Sequence, residues 1–174
     1  MAIQFINSKE KSDLLNVRER LAEISSKSGQ AYNKKYYLEY INLRSLFFSG
    51  TLTIMLIFHS KHNSILNKKP YSIKKAFKVL SEVNDKEIYR MAFVSGLITE
   101  KTHKLLKTFY EKRNALIHRY VFGKKSYNSL VNKGEIDLVD AILDSLNEDF
   151  DSLVKLIGNG KLDFLYTWVN KQTQ

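Results

Sequence analysis

Hydrophobic residues along the chain recur at helical spacing, and strand-type alternation bounded by tight-turn dipeptides such as Asn-Gly or Asp-Gly is absent. The pattern predicts an all-α fold. A first helix is expected over Lys9 to Ser26, with Leu14, Leu15, Val17, Leu21 and Ile24 as its apolar positions, and a longer, more apolar one over Ala31 to His59. The polar stretch Ser60 to Pro70, ended by the only proline, reads as a connection. Ser72 can cap a helix running through Val83, on the stripe Ile73, Ala76, Phe77, Val79 and Leu80. Asn84 with Glu87 three residues on resembles a capping box for a short helix that Gly96 would end. A long helix over 99–121 is predicted to stop near Gly123, and Lys124 to Gly134 reads as polar loop. A further amphipathic helix over 135–157 ends at Gly158-Asn159-Gly160, followed by a short terminal helix holding the sole tryptophan, Trp168.

With 174 residues, 44% of them hydrophobic, the chain is long enough to bury a core and is expected to form a single domain, 1–174. No internal repeat or low-complexity tract interrupts it. The absence of cysteine removes disulfides, thiolate zinc sites and a cysteine nucleophile, and suits a reducing, cytoplasmic setting. The N-terminal residues lack the pattern of a secretory signal. The most apolar run, Leu46 to Phe58, is interrupted by Ser49, Thr51 and Thr53 and falls short of the roughly 18–20 residues needed to span a bilayer, so a buried helix and no membrane partner are expected.

Charge changes the picture more. The net charge is +10, but residues 1–134 hold 25 Lys and Arg against 10 acids, whereas 135–174 hold 3 against 8. The body is basic, and an acidic helical extension begins at about 135. Residues 100–125 carry eight Lys and Arg against Glu100 and Glu111 alone, the footprint expected around a phosphate polymer, although a solvated lysine-rich surface gives the same count.

That basic stretch contains Arg113-Asn114-Ala115-Leu116-Ile117-His118-Arg119-Tyr120. A fixed cation, a proton carrier and a phenol lie within about two helical turns, a combination that folding alone does not require. At 100° per residue, Leu105, Leu106, Phe109, Leu116, Ile117 and Tyr120 share an arc of about 120° and Arg113 falls inside it. An arginine on an apolar face must either snorkel to the edge or find an anion. Asn114 and His118, four apart, stack on a neighbouring face. Arg113 and His118 diverge by about 140°, so a cleft between two copies of the helix is the more economical way to surround one phosphate with both. Each residue also has a plain structural reading: Arg113 as packing, Asn114 bonded to the preceding turn, His118 as a satisfied interfacial histidine, Tyr120 as core.

Arg113, four residues, His118, one residue, Tyr120, with Asn114 directly after the arginine, resembles the active-site signature of HEPN-domain ribonucleases, most closely the toxins of the minimal-nucleotidyltransferase/HEPN toxin-antitoxin pairs. Supporting similarity extends over residues 94–122. The resemblance implies a HEPN-like helical bundle, a homodimer whose motif helices meet at a cleft, and RNA cleavage without metal or other cofactor. It implies further that an antitoxin nucleotidyltransferase attaches AMP to the tyrosine matching Tyr120. The chain is longer than the short toxin form, with its acidic segment beyond the motif, which keeps a related abortive-infection antiviral protein open.

Cleavage through the 2′-hydroxyl needs a base, an acid and cations on the charged phosphorane, leaving a 2′,3′-cyclic phosphate. His118 fits the proton carrier and Arg113 the cation; Asn114 would orient His118 or a phosphate oxygen. Tyr120 would line the cleft, where an attached adenylyl phosphate would block it by bulk and charge. Lys112, Arg119, Lys124 and Lys125 would contact RNA. The alternative is a HEPN-type module that binds RNA or protein without cutting; a third reading is a scaffold whose acidic C-terminal helix docks a basic partner. Elsewhere, His59 and His62 lack further ligands at metal spacing, His103 reads as an exposed face, and Tyr36, Tyr37 and Tyr40 beside Lys34 and Lys35 could stack on bases or simply start a helix.

Overall fold

The computed structural model describes residues 6–122 and 133–158 and is all-α. Six helices follow in order: α1 (Ser8–Asn33), α2 (Tyr37–Leu66), α3 (Ile73–Ser81), α4 (Asp85–Val94), α5 (Glu100–Phe122) and α6 (Lys133–Ile157). α2 is the axis of the bundle, and the other five pack around it. Its Phe48, Leu52, Ile54, Met55, Ile57 and Phe58 are almost wholly excluded from solvent. By length and composition α2 could also cross a membrane; here those side chains face other helices.

The first helical boundary differs from the expected one. Ala31 lies in the last turn of α1, not at the start of α2, because the chain breaks at Lys34 and Lys35, the latter in the left-handed region at φ 61°. The polar residues Asn33-Lys34-Lys35 were the signal for that break. α1 begins on a full capping box, in which the Asn7 side chain accepts from the Glu10 amide and Glu10 accepts from the Asn7 amide. α2 continues past His59 to Leu66 although Ser60 to Leu66 is largely polar. Lys61 Nζ bonds Glu10 Oε1 at 2.8 Å in a mostly buried pair, tying this extension to the start of α1. Further along the same interface Gly50 lets the helices approach, since a Cβ there would run into the Leu21 side chain.

Ser72 caps α3 through the Lys75 amide, and Asn84 caps α4 through that of Glu87. The second capping box is only half formed, because the Glu87 carboxylate turns outward to Arg90. Gly96, at φ 68°, ends the turn after α4 as expected.

α6 starts two residues earlier than expected and is no appendage. Its Val139, Ile142, Leu146, Phe150, Leu153, Val154 and Ile157 are buried against α2 and α5, while its acidic positions fall mostly on the outer face. The loop around Lys124 and Lys125 and the terminal helix expected around Trp168 lie outside the described residues.

α6 also fixes the start of the motif helix. Buried Asp149 accepts from the Thr99 amide at 3.3 Å and from the Thr102 hydroxyl at 2.5 Å, and Thr102 is joined to Ser145 at 2.7 Å. Burial raises the Asp149 pKa, and the bonds from Thr102 and Thr99 only partly offset it. A carboxyl whose folded pKa lies above its unfolded value contributes stability below the unfolded pKa and loses it as pH rises through the folded one. The stability difference between wild type and Asp149→Asn is therefore expected to fall from wild type's side as pH climbs from below 3.8, the ordinary value, through the raised one. Urea titrations of both proteins across the acid range measure it.

Candidate functional site

The centre of the candidate site is α5, whose Leu106, Phe109 and Leu116 are buried while Leu105 and Ile117 are partly covered. Phe109 meets Phe48 of α2 edge-on at 5.2 Å, which locks the rotation of α5 about its axis. That rotation decides where the motif side chains go.

Arg113 is carried inward and finds an anion, the carboxylate of Asp85. Its Nη1 lies 2.6 Å from Asp85 Oδ2 and 2.5 Å from Ser45 Oγ. Ser45 in turn donates to Asp85 Oδ2 at 3.0 Å, and Ser49 donates to Asp85 Oδ1 at 2.6 Å. On its other side, Arg113 donates from Nε and Nη2 to Asn114 Oδ1 at 3.3 and 3.1 Å, and its guanidinium lies over the Tyr110 ring at 5.2 Å. The side chains of Arg113 and Asp85 are 18% and 22% exposed. A guanidinium has five N–H donors. With these bonds, one Nη2 donor remains uncommitted among the described residues.

Tyr89 stands beside this network, and its hydroxyl has no hydrogen-bond partner among the described residues. Its pKa is pushed up to about 12, chiefly by burial and then by the Asp85 charge. The nearby Ser49 and Ser45 hydroxyls and the Arg113 charge pull the other way. Tyr89 stays protonated near neutrality and is a structural phenol here.

His118 takes the opposite direction, as the helical angle predicts. It is exposed, with its ring stacked on Phe122 at 6.0 Å and an interplanar angle of 19°. No hydrogen bond joins Asn114 to His118 among the described residues; the Asn114 side-chain oxygen accepts from Arg113. Tyr120 is half exposed at 48%, not core, and Phe122 is exposed at 81%. Arg119 is exposed and Lys112 partly so. The end of α5 thus presents imidazole, phenol and phenyl rings with Arg119 between them, while Arg113 sits a turn earlier at the junction with α2 and α4.

A cavity of about 250 Å³ opens between α4 and α5, with Lys86, Arg90, His103 and Lys107 on its walls. It shares Tyr110 with the Arg113 site. His103 is not a free polar face, since its ring stacks on Phe93 at 4.5 Å. His59 bonds Asn63, its pKa lowered by burial and by His62, and no group of three or more metal-ligating side chains occurs among the described residues. Tyr40 is buried and packs on Tyr32, as does Tyr37, while Tyr36 is exposed.

Asp85, Ser45 and Ser49 belong to the site and were not singled out by sequence. Asp85 reads as an ordinary first-turn acid of α4. The detectable sign was Ser45 and Ser49, four residues apart and so one above the other, in the most apolar helix of the chain. A buried polar stripe there implies a polar partner on a facing helix.

In comparisons with protein-family profiles, curated proteins and solved structures, none matches this chain.

Proposed function

We propose that this protein is a metal-independent endoribonuclease of the HEPN type, acting as a toxin of a toxin-antitoxin pair or as an antiviral abortive-infection effector. The observation that carries the reading is the presentation of His118 on an exposed, aromatic, basic end of α5, with Arg113 held at a fixed position five residues earlier. His118 takes the 2′-hydroxyl proton or protonates the 5′-oxygen. Arg113 supplies charge to the phosphorane, and Lys112, Arg119, Lys124 and Lys125 hold neighbouring phosphates.

Within one chain Arg113 and His118 point to different faces. The composite site therefore uses two copies, with α5 ends apposed so that the exposed Tyr120 and Phe122 are covered and both histidines approach one phosphate. Tyr120 lies at that seam, where transfer of AMP by a partner nucleotidyltransferase would hinder both assembly and RNA entry. Sedimentation showing only monomer at micromolar concentration would weigh against the composite site. The reading places the protein in the cytoplasm with RNA as its partner.

The test is digestion of a defined RNA in EDTA. Cleavage is expected to persist, to leave 2′,3′-cyclic phosphate ends, and to spare DNA of the same sequence, which lacks the attacking hydroxyl. Loss of cleavage on chelation, or equal cutting of DNA, would exclude this mechanism. A second reading, a HEPN-type module that binds RNA or protein without cutting, is favoured by one observation: Arg113 already has its anion in Asp85. The same digestion separates the two.

A further inference from the structure

From Tyr40 to Ser81 the chain contains no Asp or Glu. Within that stretch Lys68, Lys69, Lys74, Lys75 and Lys78 are all exposed, and none forms an ion pair among the described residues. On α3 the lysines at 74, 75 and 78 share one side, because residues three and four apart are neighbours on a helix. Ile73, Ala76, Phe77 and Leu80 take the other side and pack against the core. Lys68 and Lys69 sit just beyond the C-terminus of α2, and the Asn67–Ser72 connection brings them to the start of the same helix.

The placement runs against the stability of α3. Cations in a helix's first turn oppose the macrodipole. Every other helix has at least one acid in its first turn; α3 has none and puts Lys74 and Lys75 there. Lys68 and Lys69 suit the C-terminal end of α2, but Lys74 and Lys75 have no such local reason. Local rules broken without compensation point to function.

We infer that α3 and the connection before it form a binding surface for the phosphate backbone of single-stranded RNA, through Lys68, Lys69, Lys74, Lys75 and Lys78. This rests on the ribonuclease reading for the identity of the polyanion, and it adds a contact surface outside the motif helix. Of the apolar residues of α3, Ile73, Ala76, Phe77 and Leu80 are engaged by the core and Val79 alone is exposed, so the helix has little to insert into a lipid bilayer. A flexible row of ammonium groups suits a backbone read without base specificity.

The experiment compares the full-length chain carrying His118→Ala, so that the probe survives, with the same chain carrying Lys74→Ala, Lys75→Ala and Lys78→Ala. A control removes three charges elsewhere, by Lys9→Ala, Lys27→Ala and Lys155→Ala. Binding of a fluorescent oligouridylate is followed by anisotropy across a salt series. Each phosphate contact contributes about 0.7 to the slope of log affinity against log salt for single strands, so the α3 triple should lower the slope by about 2 and the affinity about tenfold or more. The control should lower the slope little. The α3 triple should also raise the urea midpoint, since the first-turn repulsion is gone. Equal losses in both triples, or none in the α3 triple, would overturn the surface; so would capture by phosphatidylserine vesicles that needs the three lysines while RNA binding does not. If RNA binds through α3 but the unsubstituted protein cuts none, the surface stands and the ribonuclease reading falls. If the unsubstituted protein cuts RNA while binding is unchanged in the triple, the reverse holds.

Discussion

Replacing His118 with alanine is expected to lower RNA cleavage by about 10²- to 10⁴-fold, the range for losing a positioned general acid or base. The folded chain should be unaffected, because the ring is exposed and its contact among the described residues is the stack on the equally exposed Phe122. Surface substitutions of this kind change stability by no more than about 0.5 kcal/mol. Gel-based cleavage rates and urea midpoints measured on the same preparation give both numbers. Full activity in the variant would remove His118 from the chemistry. A large loss of stability would show that the exposed imidazole supports the fold in a way its surroundings do not explain. If the protein is a toxin, growth arrest on expression should be relieved by the same substitution.

The all-α architecture was legible in the hydrophobic pattern because five of the six helices carry a one-sided apolar stripe, or a polar cap at a recognisable position. α5 and α6 were placed to within about two residues, and Ser72, Asn84 and Gly96 served as caps or stops where expected. The α1/α2 boundary was misplaced for a physical reason. Ala31 is apolar and fits the apolar pattern on either side of the break, so periodicity alone could not decide which helix owned it, and the chain ends α1 at Lys34 and the left-handed Lys35. The end of α2 was missed because a polar run can remain helical when one mostly buried ion pair, Lys61 with Glu10, anchors it from a distant segment. Such a partner, 51 residues away, leaves no local trace.

The candidate site divides along the same line. The opposed directions of Arg113 and His118 followed from helical geometry, and the need of Arg113 for an anion followed from its place in an apolar arc. Which anion it takes depended on α4 packing beside α2, a tertiary fact. The sequence did not show that the Asn114 side-chain oxygen accepts from the adjacent Arg113 guanidinium, a contact set by the rotamers of two neighbouring side chains. The angle groups Tyr120 with the core, yet it lies past Leu116, the last buried residue of α5 among those described, and is half exposed. Angular position predicts burial only as far along a helix as there is something to pack against.

The role of Arg113 turns on its pair with Asp85, and a double-mutant cycle measures it. Asp85→Ala is expected to lose about 2–3 kcal/mol. This is below the 3–5 kcal/mol typical of breaking a fully buried pair, because both side chains retain about a fifth of their exposure. Arg113→Ala should lose a similar amount by leaving the carboxylate with only Ser45 and Ser49. The double variant should lose less than the sum by about 1–3 kcal/mol, the range for residues in one network. Strict additivity would show that the two groups do not support each other. Arg113→Lys then separates structure from chemistry: it keeps a charge for Asp85 but gives up the planar fork that grips Asn114 and that would grip a phosphate. If Arg113 acts on RNA, the lysine variant should keep most of the stability lost in Arg113→Ala and still cut at least about tenfold more slowly, as expected when a charge-assisted contact made in the transition state is weakened. If cleavage instead tracks stability across all four variants, Arg113 is a strut of the α2, α4 and α5 junction and the transition-state cation lies elsewhere, with Arg119, exposed and next to His118 in sequence, the first candidate.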